Sequence, residues 1–115
     1  MKEIKEITEK IKNFRDDRDW MQFHNHKDMA LSLLLETAEV LEHFQWKSNE
    51  EIASYTEKAK DEIAEELADV AIYLFELADN MKIDLSHAIL KKLEKNAKKY
   101  PVIKAKGSNL KYNKL

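Results

Sequence analysis

One glycine, Gly107, and one proline, Pro101, are all the strong backbone punctuation that these 115 residues carry. A chain so poor in turn formers has little with which to build a strand-rich fold, and its apolar residues recur at helical spacing. Ile4, Ile7, Ile11 and Phe14 predict a first helix over about residues 3–17. R-D-D-R-D-W-M-Q-F-H-N-H follows as a polar connection that carries aromatics. Asp28 is the expected N-cap of a second helix running to about Phe44. Ser48, with Glu51 three residues on, is a capping-box signature that opens a third. Its pattern runs to about Met81, with Ser54–Thr56 the expected place for any break. Unbroken, that helix would be ~45 Å long at 1.5 Å per residue, more than so small a domain can cover, so a partner subunit is expected. Asp84 caps a fourth helix bearing Leu85, Ala88, Ile89, Leu93 and Ala97, which ends before Tyr100-Pro101. Residues 102–115 are expected to be irregular. The expected architecture is one all-α, four-helix-bundle-like domain over 1–115.

Two acidic pairs carry the chemistry: Glu36 with Glu39, and Glu66 with Asp69. Residues at i and i+3 share a helix face, so each pair projects two carboxylates to one side. Both pairs border stripes expected to be buried, Leu31, Leu34, Leu35, Ala38 and Leu41 in one helix and Ile63, Leu67, Val70, Ala71 and Leu74 in the other. A carboxylate near a core is costly without a positive partner. Four facing one another call for a cation, and hard oxygen donors suit Mg²⁺, with Mn²⁺ as a substitute. The competing reading is two solvated pairs on amphipathic helices.

Composition bounds the rest. There is no cysteine, hence no disulfide and no thiolate chemistry, which suits a reducing cytoplasm. No apolar run approaches the roughly 20 residues of a membrane span, and the N-terminus lacks a signal peptide's apolar core. A cytoplasmic protein with no membrane association is expected. The net charge is only −2, yet residues 91–115 hold nine lysines against one acid, Glu94. Such a tail could grip a nucleic acid, surround a polyanionic small ligand, or simply be solvated.

F-R-D-D-R-D-W-M-Q-F-H, L-L-L-E-T-A-E-V-L-E-H-F-Q-W-K, E-E-L-A-D-V-A-I-Y-L and K-N-A-K-K-Y-P occur in that order, and G-S-N-L-K-Y-N-K-L closes the chain. A lone E-x-x-E is common in helices, but the ordered set is specific. It resembles the MazG-like all-α nucleoside triphosphate pyrophosphohydrolases, and among them most the dCTP pyrophosphatase branch. The resemblance implies hydrolysis of a nucleoside triphosphate to monophosphate and pyrophosphate, with Mg²⁺ and a helical homo-oligomer, dimer or tetramer. It makes Glu36, Glu39, Glu66 and Asp69 the metal-binding catalytic set. One of these, or Glu62 or Glu65, would take a proton from the attacking water. It also implies substrate contacts from Lys92, Asn96, Lys99 and Tyr100 on the last helix, and from Tyr73 one turn past Asp69. Some relatives carry arginine where this chain has A-K-K-Y, and lysine lacks arginine's bidentate fork. Trp20 and Trp46 match positions that flank the base, and His24 one that contacts base or sugar. His26 and His43 have no such match and read as surface or packing residues, while Phe23, Phe44 and Phe75 read as core.

Two other classes compete. A ferritin-like di-iron bundle needs Glu-x-x-His twice, and no glutamate here has a histidine three residues on. A non-catalytic helical module binding nucleotide or nucleic acid through its lysines has no use for the acidic quartet. A nucleotide pyrophosphohydrolase is therefore expected, acting on a dCTP-like substrate or more broadly on triphosphates, with no nucleic-acid partner.

Overall fold

The computed structural model describes residues 2–115. Helices α1 (Lys2–Asp17), α2 (His26–Glu42), α3 (Asn49–Lys58), α4 (Lys60–Asn80), α5 (Leu85–Lys99) and α6 (Val102–Ala105) are joined by short turns, and 3₁₀ turns cover Met21–Phe23 and Tyr112–Lys114. No strand is present among the described residues. None of their helices is long and apolar enough to cross a membrane.

Local chemistry accounts for most boundaries. α1 stops where Asp19 turns left-handed at φ 55° and the amides of Arg18 and Trp20 both donate to the Arg15 carbonyl. The N-cap of α2 is Asn25 rather than Asp28. The Asn25 side chain accepts from the Asp28 amide at 2.9 Å and donates to the Asp28 carboxylate at 2.8 Å. Asp28 thus sits in the first turn, where a negative charge meets the helix dipole. Ser48 and Glu51 close the expected capping box. The third helical segment breaks at Ala59, beyond Ser54–Thr56. There φ −103° and ψ 19° redirect the chain while the Ala59 amide still reaches the Tyr55 carbonyl. Alanine is a strong helix former, so packing rather than propensity sets this kink; Ala59 is one of the few fully buried residues. Asp84 caps α5 by accepting from the His87 amide. Residues 102–115 are not simply irregular: Pro101 opens the short α6, which ends before Gly107 at φ 78°.

The fold is built on the pairing of α2 with α4, with α1 packed on α4 and α3 and α5 against its two ends. Within one chain this does not close into a bundle. Among the described residues only Met29, Ala59, Ile63 and Ala78 form a buried apolar core, and the α2 stripe of Leu31, Leu34, Leu35 and Leu41 is exposed. Phe44 and Phe75 are half-buried, whereas Phe23, expected in the core, is 62% exposed. The accessible surface is 9441 Å², against roughly 6,600 Å² for a compact monomer of this mass. The radius of gyration is 17.7 Å, against about 13 Å for a compact chain of this length.

Candidate active site

The α2–α4 pairing brings the two acidic pairs together. Glu36 and Glu39 come from the middle of α2, and Glu66 and Asp69 from the first half of α4. Glu36 is the focus. Its carboxyl is pushed above the ordinary carboxylate range, first by burial, then by the neighbouring Glu39 carboxyl and by the charges of Asp69 and Glu66. Its Oε2 is buried without a hydrogen-bond partner. Glu39 and Asp69 are exposed and adjustable, while Glu36 and Glu66 are half-buried. Among the described residues no group of three or more His, Asp or Glu side chains is placed to hold a metal ion. In kind the four carboxylates suit a hard divalent cation: the charges of Glu39, Asp69 and Glu66 all act on Glu36, and the buried Glu36 Oε2 has no hydrogen-bond partner.

His43, read as surface or packing, is packed against Phe44 and Tyr55 and borders this cluster. Its Nε2 lies against Glu66 Oε2 in a contact without hydrogen-bond geometry, and its Nδ1 is 2.5 Å from the Tyr55 hydroxyl of α3. The hydroxyl can donate to Nδ1 or accept from it, according to the tautomer of the ring. The sequence held a signal for this, because His43 lies four residues after Glu39 and seven after Glu36, on the same helix face. His26, by contrast, is an exposed first-turn residue, as expected.

The substrate candidates are more dispersed. Tyr73 is half-buried on α4, one turn beyond Asp69. Trp20 is partly exposed and meets Phe14 edge-on at 5.7 Å, with the Arg18 guanidinium 3.7 Å from the Phe14 ring centre. Trp46 ends the α2 turn at φ 70° and is 92% exposed, which excludes core filling within one chain. A bulky residue in the left-handed region is uncommon and strained. His24 bonds through Nδ1 to the buried Glu76 of α4. Lys92 is exposed beside Leu85, Ala88, Ile89 and Leu93 of its own helix, Asn96 is half-buried, and Lys99 sits over the Tyr112 ring at 4.9 Å. Tyr100 meets Tyr112 edge-on at 6.2 Å. None of Lys92, Asn96 and Lys99 makes an ion pair or side-chain hydrogen bond among the described residues.

Comparison with known proteins gives a consistent family. The MazG-like family model matches residues 31–115. dCTP pyrophosphatase 1 of Rattus norvegicus is 39% identical over 114 residues, 97% of this chain and 67% of its own length. Its counterpart in Bos taurus is 37% identical, covering 97% and 68%, and that of Homo sapiens 36%, covering 97% and 67%. A crystal structure of a pyrophosphatase from Archaeoglobus fulgidus superposes with a TM-score of 0.82 at 42% identity, covering 86% of this chain and 93% of that one. An all-helical chain with an acidic cluster between its two central helices, a family match over most of its length and relatives at this identity lead to one assignment: the chain belongs to the MazG-like family and is a nucleotide pyrophosphohydrolase.

Proposed function

We propose that this enzyme hydrolyses a deoxynucleoside triphosphate, preferentially dCTP, to the monophosphate and pyrophosphate, with Mg²⁺ held by Glu36, Glu39, Glu66 and Asp69. The observation that carries the reading is Glu36, a buried and unpaired carboxylate oxygen surrounded by three other acids. When bound, the ion neutralises phosphate oxygens and lowers the pKa of a water. The chain's own part is to hold the four carboxylates close together on two packed helices and to accept a proton from the attacking water. The acceptor is one of the quartet, or Glu62 or Glu65 on the same helix. Lys92 and Lys99, both without ion-pair partners, supply positive charge for the phosphates, with Asn96, Tyr100 and Tyr73 as further polar contacts. Trp20 and Trp46 offer exposed ring faces to a base, a stacking worth ~1–3 kcal/mol per base. The strained, exposed Trp46 favours a ligand contact over a packing role.

The preference for cytosine leans on the relatives named dCTP pyrophosphatase 1. Broad triphosphate hydrolysis is the alternative within the same class. We further read the working enzyme as a homo-oligomer, dimer or tetramer, because one chain has more accessible surface than a compact monomer of its size and leaves many large apolar side chains exposed. The test is a panel of dCTP, CTP, dTTP and dATP with Mg²⁺, with products separated by chromatography. dCMP plus pyrophosphate formed fastest supports the proposal; equal rates on all four leave only the broad reading; orthophosphate as the first product overturns it.

A further inference from the structure

Glu76 is the least exposed charged residue described, at 3%, and the hydrolytic chemistry does not use it. It lies seven residues after Asp69 and three after Tyr73, on the same face of α4. Each of its oxygens is within 2.9 Å of His24 Nδ1, and Oε2 also accepts from Asn80 Nδ2 at 3.0 Å. Arg15, itself 7% exposed, approaches Glu76 Oε2 at 3.7 Å, donates to Asn80 Oδ1 at 3.2 Å and donates through Nε to Asp16 at 2.7 Å.

Stability alone does not select such a cluster, since well-packed apolar residues usually do as well as a buried ion pair. Its geometry points elsewhere. The turn from Trp20 to His24 is held at its start by the α1 backbone and at its end by this cluster. At its start the Trp20 amide donates to the Arg15 carbonyl at 3.1 Å, and at its end the His24 ring bonds Glu76. Between them the Phe23 amide donates to Trp20 and the His24 amide to Met21, at 2.9 and 3.0 Å. The cluster therefore ties the segment bearing Trp20 and His24 to the same helix that carries Glu66, Asp69 and Tyr73.

We propose that Glu76, backed by Arg15 and Asn80, is a positioning residue for the nucleotide: it docks the Trp20–His24 turn on α4 and fixes the tautomer of His24. A carboxylate only accepts, so a proton sits on Nδ1, and whenever the ring is neutral Nε2 is left as an acceptor. His24 then takes a hydrogen-bond donor from its ligand, an amino group of a base or a hydroxyl of a sugar. This rests on the functional reading above, in which the turn contacts the nucleoside.

Three variants test it: Glu76→Gln, which keeps the acceptor; Arg15→Met/Glu76→Leu, which replaces the pair with apolar groups; and Glu76→Met, which leaves Arg15 its bonds to Asp16 and Asn80. Long-range ¹⁵N–¹H spectra report the His24 tautomer, and steady-state kinetics on dCTP with Mg²⁺ report KM and kcat. Wild type and Glu76→Gln are expected to show the Nδ1–H tautomer and similar KM. The double variant is expected to fold, lose that tautomer, keep kcat and raise KM about tenfold, the cost of ordering a freed turn on binding. Should the double variant fail to fold, Glu76→Met carries the same expectation. A wild type with its His24 proton on Nε2 overturns the proposal, as does a variant that loses the Nδ1–H tautomer with KM unchanged. Failure of the functional reading looks different: wild type then releases no pyrophosphate from any triphosphate, and the positioning role falls while the tautomer persists.

Discussion

Replacing Leu34 with glutamate separates a chain that folds alone from one that needs copies of itself. Leu34 is 64% exposed in the single chain, on the α2 stripe beside Glu36. If the monomer were the working form, the change would be an ordinary surface substitution, within about ±0.5 kcal/mol. If the stripe is an interface, that exposed part is buried on assembly. Complete burial of a leucine is worth about 1.5–3 kcal/mol, so covering its exposed 64% is worth roughly 1–2 kcal/mol per chain. A two-fold contact uses the residue twice, which makes ~2–4 kcal/mol, or roughly 30- to 1,000-fold in the dimer dissociation constant, before the cost of burying the new charge. Surface area points the same way. The excess over a compact monomer is roughly 2,800 Å², more than three times what one partner buries in a standard interface. Light scattering on a size-exclusion column, with circular dichroism, is the assay. Wild type is expected to run as a dimer or tetramer, and Leu34→Glu as a helical monomer at micromolar concentration. A monomeric wild type, or a variant with unaltered mass, refutes the reasoning.

Two further outcomes follow from the site. Glu36 titrates higher in the folded chain than in the unfolded one, so its protonation stabilises the metal-free fold at low pH. That contribution is complete below the unfolded pKa and is lost as pH rises through the folded one. Metal-free Glu36→Gln should therefore gain stability relative to wild type as pH rises across that window; denaturant melts showing a constant difference would contradict this. Trp46→Ala should raise KM for dCTP by roughly 5- to 150-fold, as befits the loss of one stacking partner worth ~1–3 kcal/mol, and leave Mg²⁺ binding unchanged. Unchanged KM and base discrimination would remove Trp46 from the nucleotide site.

How far the sequence could be read differs between fold and site, for physical reasons. α1, the α3 capping box and the Asp84 cap of α5 were legible because they depend on neighbours within four residues. Asn25 displaced Asp28 as the α2 cap because both side chains suit the role and only their reciprocal hydrogen bonds decide it. The Ala59 break had no local mark, since packing imposes it on a good helix former. That Glu36 shares a face with Glu39, and Glu66 with Asp69, was legible because i,i+3 spacing fixes each pair, whereas the α2 stripe expected to be buried beside them is exposed in the single chain. His43, Tyr55 and the Arg15–Glu76–Asn80 cluster were not read, because each needs a partner from another helix. Even so, a glutamate inside the apolar run L-F-E-L-A was itself a hint.

The most direct measurement pairs melting curves with pyrophosphate release for wild type and Glu39→Gln, each with and without Mg²⁺. Wild type should be stabilised by Mg²⁺, by ~2.7 kcal/mol at a hundredfold excess over Kd, and should release pyrophosphate only with the ion. Glu39→Gln should be at least as stable as wild type without metal, because one of four like charges is gone. It should gain little from Mg²⁺ and lose nearly all hydrolysis. A wild type with no Mg²⁺-dependent shift, together with a Glu39→Gln enzyme that keeps its activity, would contradict the account at its centre.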